Sequence, residues 1–306
     1  MPLPLRHTLD QLLVLETVAR AGSFAAAARE LHRVPSAVSY TVAALEEALG
    51  LTLFDRSGHT VALTAAGRAL LDEASQVLGR ARRLERLAAS LGGGWEPELR
   101  VVVEGVYPMR PIAEALRALA VRKVPTRVRV DVEYQDGVPE RFEAEHADLM
   151  LLLDWPGDDR LRATPLPPLT MVLVAAPGHP LGQRAAIDRP ALLEHVDLVV
   201  RDSSARYARA PRRPYMGSHH VVYLSDFHSK RLALLGGAGF GWVPEHLVAE
   251  DLARGELVLL DFVEGPRWTY HPALITRRDA PLGPAGALFV EVLLATVNQD
   301  SCSTAS

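Results

Sequence analysis

At Gly92-Gly93-Gly94 the hydrophobic period of the chain changes, and no single domain accommodates both sides of the change. Upstream, apolar residues recur at helical spacing. Leu9, Leu12, Leu13, Leu15 and Val18 predict a helix over 9–20, stopped by Gly22. Ser23 stands at the N-cap position of a second helix, FAAAARELH. Pro35 suits the first turn of a third, SAVSYTVAALEEALG, stopped by Gly50. The alternating residues of LTLFDRSGHTVALT, on either side of Ser57-Gly58, predict a β-hairpin. Thr64 then caps a fourth helix. Its residues Leu70, Ala74, Val77, Ala81, Leu84, Ala88 and Leu91 alternate spacings of four and three without a slip. That is a heptad seam, the pattern of coiled-coil pairing; packing on its own domain is the alternative.

Downstream, apolar runs rich in β-branched residues (RVVVEG, VRVDVEY, ADLMLLLD, TMVLVAAP, VDLVVRD, HVVYLSD) alternate with helical patterns. This alternation predicts an α/β domain with largely parallel sheets. The expected organisation is a helical unit over 1–64, a linker helix over 65–91, an α/β domain over 97–298 and a disordered tail over 299–306.

Charge does not announce a partner. The formal net charge is −4, and residues 1–64 carry Arg6, Arg20, Arg29, Arg33 and Arg56 against Asp10, Glu16, Glu30, Glu46, Glu47 and Asp55. Any nucleic-acid binding must come from placement rather than bulk charge. The lone Cys302 excludes an internal disulfide and a cysteine metal site. No apolar run approaches a membrane span, and the first residues read as an amphipathic helix rather than a signal peptide, so a cytoplasmic location is expected.

The second and third helices join through a tight turn, and the third opens on small polar residues. Such an end enters a major groove when its first residues are short or carry donors and its far side is apolar. Ala37, Val38, Val42 and Leu45 supply the apolar side; Ser36, Ser39, Tyr40 and Thr41 are expected to face outward. On helix pattern alone an ordinary helical hairpin is the favoured reading. The longer run SFAAAAREL…PSAVSYTVAALEEALGLTLFDR…LTAAG resembles the LysR-type winged helix-turn-helix over residues 8–67. That resemblance implies a wing at the hairpin. Many members have glutamine where this chain has Pro35, so bidentate adenine reading by that side chain is lost, and base readout falls to Arg33, Ser36, Ser39 or Tyr40. Arg56, with His59 beside it, is the wing's candidate for the DNA backbone or minor groove. The resemblance assigns Glu46 a structural role.

Over 97–298 the resemblance continues more loosely, and it implies a two-lobed effector domain similar to periplasmic solute-binding proteins. The first lobe is expected at about 97–163 plus 268–298 and the second at about 164–267, with two crossover strands and a cleft between them. Strand ends and helix N-termini at such clefts favour anions. Val106, Tyr107, Arg201, Ser203 and Trp242 are the candidate effector residues, for a small anionic or aromatic molecule. Ser225 and Asp226 read as a helix cap. The resemblance further implies a homodimer through the linker helix, a tetramer through the effector domains, an operator that is an imperfect inverted repeat, and RNA polymerase as a candidate partner. No cofactor or metal is expected, and no enzymatic activity. Two rivals are a periplasmic-type solute-binding protein, which leaves residues 1–91 unexplained, and a metal-dependent hydrolase. The second fails on spacing: His219 and His220 fall in a strand, pointing to opposite faces, and His228 and His246 show no ligand motif.

Overall fold

The computed structural model describes residues 6–55, 61–92, 94–204 and 216–303. They divide into two compact units, Met1–Leu91 and Gly92–Ser306.

In the first unit, α1 (Leu9–Ala21) begins at a capping box. The Thr8 hydroxyl accepts the Gln11 N–H at 3.2 Å, and the Gln11 side chain accepts the Thr8 N–H at 2.9 Å. Gly22, at φ +66°, ends it in a left-handed cap. α2 (Phe24–Glu30) starts from Ser23, whose hydroxyl accepts the Ala26 N–H at 3.1 Å. α3 (Pro35–Leu49) has Pro at its first position and Gly50 as its left-handed cap. β1 (Phe54–Asp55) and β2 (Ala62–Leu63) form the antiparallel base of the hairpin, with Phe54 opposite Leu63. α4 (Ala65–Leu91) is capped by Thr64, whose hydroxyl accepts the Gly67 N–H at 2.9 Å. Gly67 is fixed by contact: a Cβ there would stand 2.1 Å from the Leu53 carbonyl oxygen. The core gathers Leu15, Val18, Val38, Val42, Leu45, Leu53 and Phe54, with Ala74 and Leu78 of α4.

α4 divides its apolar residues between two tasks. Leu70, Leu71, Ala74 and Leu78 pack into the unit's own core. Val77 and Leu84, one heptad apart, stay 41% and 67% exposed. The first positions of the predicted seam therefore serve the intramolecular packing and the later ones are open to a partner. Arg82 of α4 ties the helix to α1, its guanidinium pairing with Glu16 at 2.8 Å.

The second unit holds two sheets. The first is built from β3 (Glu98–Glu104), α5 (Met109–Val121), β4 (Arg127–Glu133), α6 (Gly137–Ala144), β5 (Leu149–Leu152) and β6 (Leu161–Pro165). The second contains β7 (Leu169–Ala175), α7 (Arg189–Leu193), β8 (Val196–Val200), β9 (His220–Leu224), α8 (Phe227–Leu235), β10 (Phe240–Pro244), α9 (Glu245–Arg254), β11 (Val258–Leu259) and β12 (Arg267–Tyr270). The chain then returns to the first sheet through β13 (Ala273–Arg277) and α10 (Pro284–Ser303). The strand orders are β4-β3-β5-β13-β6 and β11-β7-β10-β8-β9, with β12 on β7.

Three expectations need correction. The sheets are mixed, because the crossing strands run against the rest: β3 is parallel to β4 and β5, and β8 to β9 and β10, whereas β7 and β13 pair antiparallel with every neighbour. Residues 268–270, expected in the first lobe, pair through β12 with β7 and belong to the second. The tail from 299 is not structureless throughout, since α10 runs to Ser303.

Candidate nucleic-acid interface and effector cleft

The exposed face of α3 follows from its buried one. Val38, Val42 and Leu45 are fully buried, which turns Ser36, Tyr40, Ala43 and Glu47 outward, with Ser39 half-buried beside them. Tyr40 is 77% exposed, far more than an aromatic ring shows without a surface to meet. Thr41 was expected on this face, but its hydroxyl donates back to the Ala37 carbonyl at 2.9 Å. Ala43 was missed. It lies three residues beyond Tyr40 on the same face, and its methyl suits a thymine methyl. Arg33 already holds Asp10 of α1 bidentately, at 3.0 and 2.6 Å. Its guanidinium reaches DNA only by exchanging that carboxylate for a phosphate. Arg56 and His59 lie outside the described residues.

Glu46 reaches from α3 to the hairpin, where one carboxylate oxygen accepts the Leu53 N–H at 2.7 Å and the Phe54 N–H at 3.2 Å. The recognition helix and the base of the wing are thereby fixed to each other. Glu46→Ala should raise hydrogen exchange at the Leu53 and Phe54 amides by one to two orders of magnitude, since about 1–3 kcal/mol is lost when partly buried donors go unpaired. Unchanged protection at both amides would show that the wing stands without Glu46.

In the second unit the lobes meet through a direct latch. The Ser203 hydroxyl, beyond β8, accepts the Tyr134 N–H at 2.8 Å and donates to the Tyr134 carbonyl at 3.2 Å. The Ser203 N–H donates to the same carbonyl at 3.3 Å. Gly137 makes this approach possible: a Cβ there would lie 2.0 Å from the Ser203 hydroxyl oxygen. The Tyr134 and Phe227 rings meet across the same boundary at 5.9 Å. Val106 packs into the apolar cluster of the second lobe, with Met171, Phe227 and Tyr270.

Two candidates are packing residues. Tyr107 is 4% exposed within the first lobe's core, beside Ile112, Leu166 and Leu274, so its ring is not displayed for stacking. Trp242 is buried in the second lobe's core, and its indole N–H points at the Met216 sulfur at 3.4 Å. Arg201 is exposed, with its amide on the Leu224 carbonyl. Asp226 caps α8 as expected, accepting the Ser229 N–H at 2.7 Å.

No motif or period in the sequence singles out Glu104, Tyr134 or Tyr270. Glu104 ends β3 and is 2% exposed, with its carboxyl accepting the Gln135 N–H at 2.9 Å. Burial pushes it up to about 8; the Gln135 and Val106 amides pull it down, Asp202 pushes it up again, and the Gly105 amide lowers it. Burial also raises the Tyr134 and Tyr270 phenols, Tyr134 with Asp226 and Glu104 adding to the effect and Tyr270 with Asp154 and Glu104.

Known proteins agree with this architecture. Residues 9–68 match the family described as bacterial regulatory helix-turn-helix protein, lysR family, and residues 92–298 match the LysR substrate binding domain. The probable HTH-type transcriptional regulator YhaJ of Escherichia coli is 37% identical over 257 residues, covering 82% of this chain and 84% of its own. The RuBisCO operon transcriptional regulator of Allochromatium vinosum is 30% identical over 300 residues, covering 96% and 98%. Among solved structures, a full-length OxyR variant from Pseudomonas aeruginosa superimposes with a TM-score of 0.63 at 20% identity, covering 96% of this chain and 95% of that one. Full-length CbnR in complex with its target DNA gives 0.57 at 22% identity, covering 94% and 98%. At those identities the two structures speak for the fold. The relatives are regulators, and neither rival reading finds support among them.

Proposed function

This chain belongs to the LysR family of transcriptional regulators, with a DNA-binding helix-turn-helix and an effector-binding domain, and from that premise we propose how it reads its operator and takes its effector. α3 enters the major groove. Ser36, Ser39 and Tyr40 read base edges there, while Arg33, Arg56 and His59 serve phosphate or minor groove. The observation that carries this reading is the exposed face of α3, with Tyr40 at 77%, directly opposite the fully buried Val38, Val42 and Leu45. Two protomers pair through Val77 and Leu84 of α4 and present two such helices to an imperfect inverted repeat in a promoter. A small molecule binds where the Ser203–Tyr134 latch joins the lobes, and it acts by preferring one arrangement of those lobes over the other. Pairing through the effector domains makes a tetramer, and RNA polymerase is the downstream partner. The protein works in the cytoplasm, without enzymatic activity or cofactor; no described helix is long and apolar enough to cross a membrane.

Ser39→Ala and Tyr40→Ala should each lower operator affinity by about tenfold and leave affinity for random duplex within about twofold. Arg56→Ala should weaken both and reduce the salt slope by about one. These effects are read by titration of labelled operator and scrambled duplex at several salt concentrations. Equal losses on both duplexes for the α3 substitutions would remove that helix from base readout.

A further inference from the structure

Resting on the reading that α3 enters the major groove, we infer that this helix recognises its half-site chiefly through the 5-methyl groups of thymines, with Val34 and Tyr40 as the residues that set the preference. The starting point is what α3 lacks. Over Pro35–Leu49 it carries no Arg, Lys, Asn or Gln, the side chains that grip guanine or adenine through paired hydrogen bonds. Its two glutamates stand in its last turn, and Glu46 is directed to the hairpin, where it accepts the Leu53 and Phe54 amides at 2.7 and 3.2 Å. In the turn before α3, Arg33 holds Asp10 at 3.0 and 2.6 Å. The polar groups left to meet base edges are single hydroxyls, those of Ser36, Ser39 and Tyr40. A lone hydroxyl both donates and accepts, so it discriminates poorly between bases.

The apolar groups stand at the end of α3 that meets DNA first. Val34 occupies the N-cap position, with φ −81° and ψ 145°, and is 62% exposed. Serine, threonine, aspartate and asparagine stabilise a helix from that position, whereas Val34 makes no capping hydrogen bond. The chain forgoes a cap there and exposes a branched aliphatic side chain instead. The Tyr40 ring, 77% exposed, and the Ala43 methyl follow on the outward face, opposite Val38, Val42 and Leu45. Such groups gain only from a surface that offers apolar contact. In the major groove of unmodified DNA the thymine 5-methyl is the apolar group that a base pair presents. Its position also tells T·A from A·T, so a methyl contact specifies sequence without a paired hydrogen bond.

Readout of this kind has its own signature. Loss of one methyl from a packed contact costs about threefold to fourfold in affinity, and a dimer repeats the contact in its second half-site. A methyl contact neutralises no phosphate. Discrimination between thymine and uracil should therefore hold as salt is raised, while total affinity falls.

The test uses the full chain and a duplex that it enriches from a random library. Each thymine of that duplex is replaced in turn by deoxyuridine, which removes the methyl and leaves base pairing and the O4 acceptor in place. At one or more thymines in each half-site, wild-type affinity should fall about threefold or more at every salt concentration used. At such a position 5-methylcytosine should bind about threefold tighter than cytosine. Val34→Ser, which supplies a capping hydroxyl, should hold or raise the melting temperature of the DNA-binding unit. It should also bind the thymine and uridine duplexes within about twofold of each other at the position Val34 covers, and Tyr40→Ala should do the same at a second position. A wild-type chain indifferent to every replacement, an enriched duplex without thymine in its half-sites, or variants as methyl-sensitive as wild type overturn the inference. Failure of the underlying reading looks different. If uridine changes nothing but Ser39→Ala still loses affinity for the enriched duplex and not for random duplex, α3 lies in the groove and reads through hydroxyls. If Ser39→Ala and Tyr40→Ala lose equally on both duplexes, α3 is not the reading helix and the methyl readout falls with it.

Discussion

The double substitution Val77→Asp with Leu84→Asp should halve the sedimenting mass of the assembly and lower affinity for a full operator by at least about a hundredfold. Val77 and Leu84 are 41% and 67% exposed, one heptad apart on α4, and neither belongs to the core of its own unit. Burying an aliphatic side chain of this size contributes about 1.5–3 kcal/mol, and a two-fold interface buries each residue twice. Carboxylates at both positions replace that gain with desolvation and like-charge repulsion across the axis. The loss on DNA follows from geometry. While the heads are joined, the second half-site is bound intramolecularly, which raises overall affinity by about 10²–10⁴ over one head alone. The substitutions leave the core residues Ala74 and Leu78 untouched, so the melting of the DNA-binding unit should hold. Sedimentation velocity and operator titration decide it. An unchanged assembly with operator affinity within threefold of wild type would assign the exposed seam to some other surface.

Glu96→Ala should lower the melting temperature of the second unit by on the order of 10 °C and leave the first unit's transition in place. Glu96 is 2% exposed and stands two residues beyond the glycine run. Its two carboxylate oxygens accept the Gly286 N–H at 2.7 Å and the Ala285 N–H at 2.9 Å, capping the amino end of α10. Its carbonyl accepts the Thr126 hydroxyl at 2.6 Å. Two charge-assisted bonds to a helix terminus contribute about 3–5 kcal/mol together, and removing the acceptor leaves both amides buried and unpaired. α10 carries Leu288, Phe289 and Leu293 into the first lobe's core, so loosening its start loosens that core. Glu96→Gln retains one acceptor oxygen and should recover part of the loss. Calorimetry of the full chain separates the two transitions. A shift below about 2 °C in the alanine variant would show that α10 is held by its apolar face alone.

Local period was enough to identify the elements of the first unit, part of those of the second, and the break between the two units. The helices of the first unit begin and end where Thr8, Ser23, Gly22, Gly50 and Thr64 stand, because each of those residues acts on a neighbouring amide or on its own backbone angle. The outward face of α3 was legible for the same reason: burial of Val38, Val42 and Leu45 dictates which residues turn to solvent. Heptad spacing identified α4 but did not apportion it, since Leu70, Ala74, Val77 and Leu84 satisfy one pattern while the first two pack into the unit's own core and the last two stay exposed.

Tertiary structure alone decided the cleft. Tyr107 and Trp242 have the composition of ligand contacts, yet the turn of the chain after β3 and the alternation along β10 direct them into the cores. Ser203 meets a backbone 69 residues away, and Glu96 caps a helix 189 residues away. Glu104 reads in the sequence as the polar end of a strand, and only the tertiary packing makes it a buried carboxyl that accepts the Gln135 amide. A hydrophobic period reports what one segment buries along its own length. It carries no record of which distant amide or carboxylate will complete a hydrogen bond, because that partner is set by the packing of whole elements.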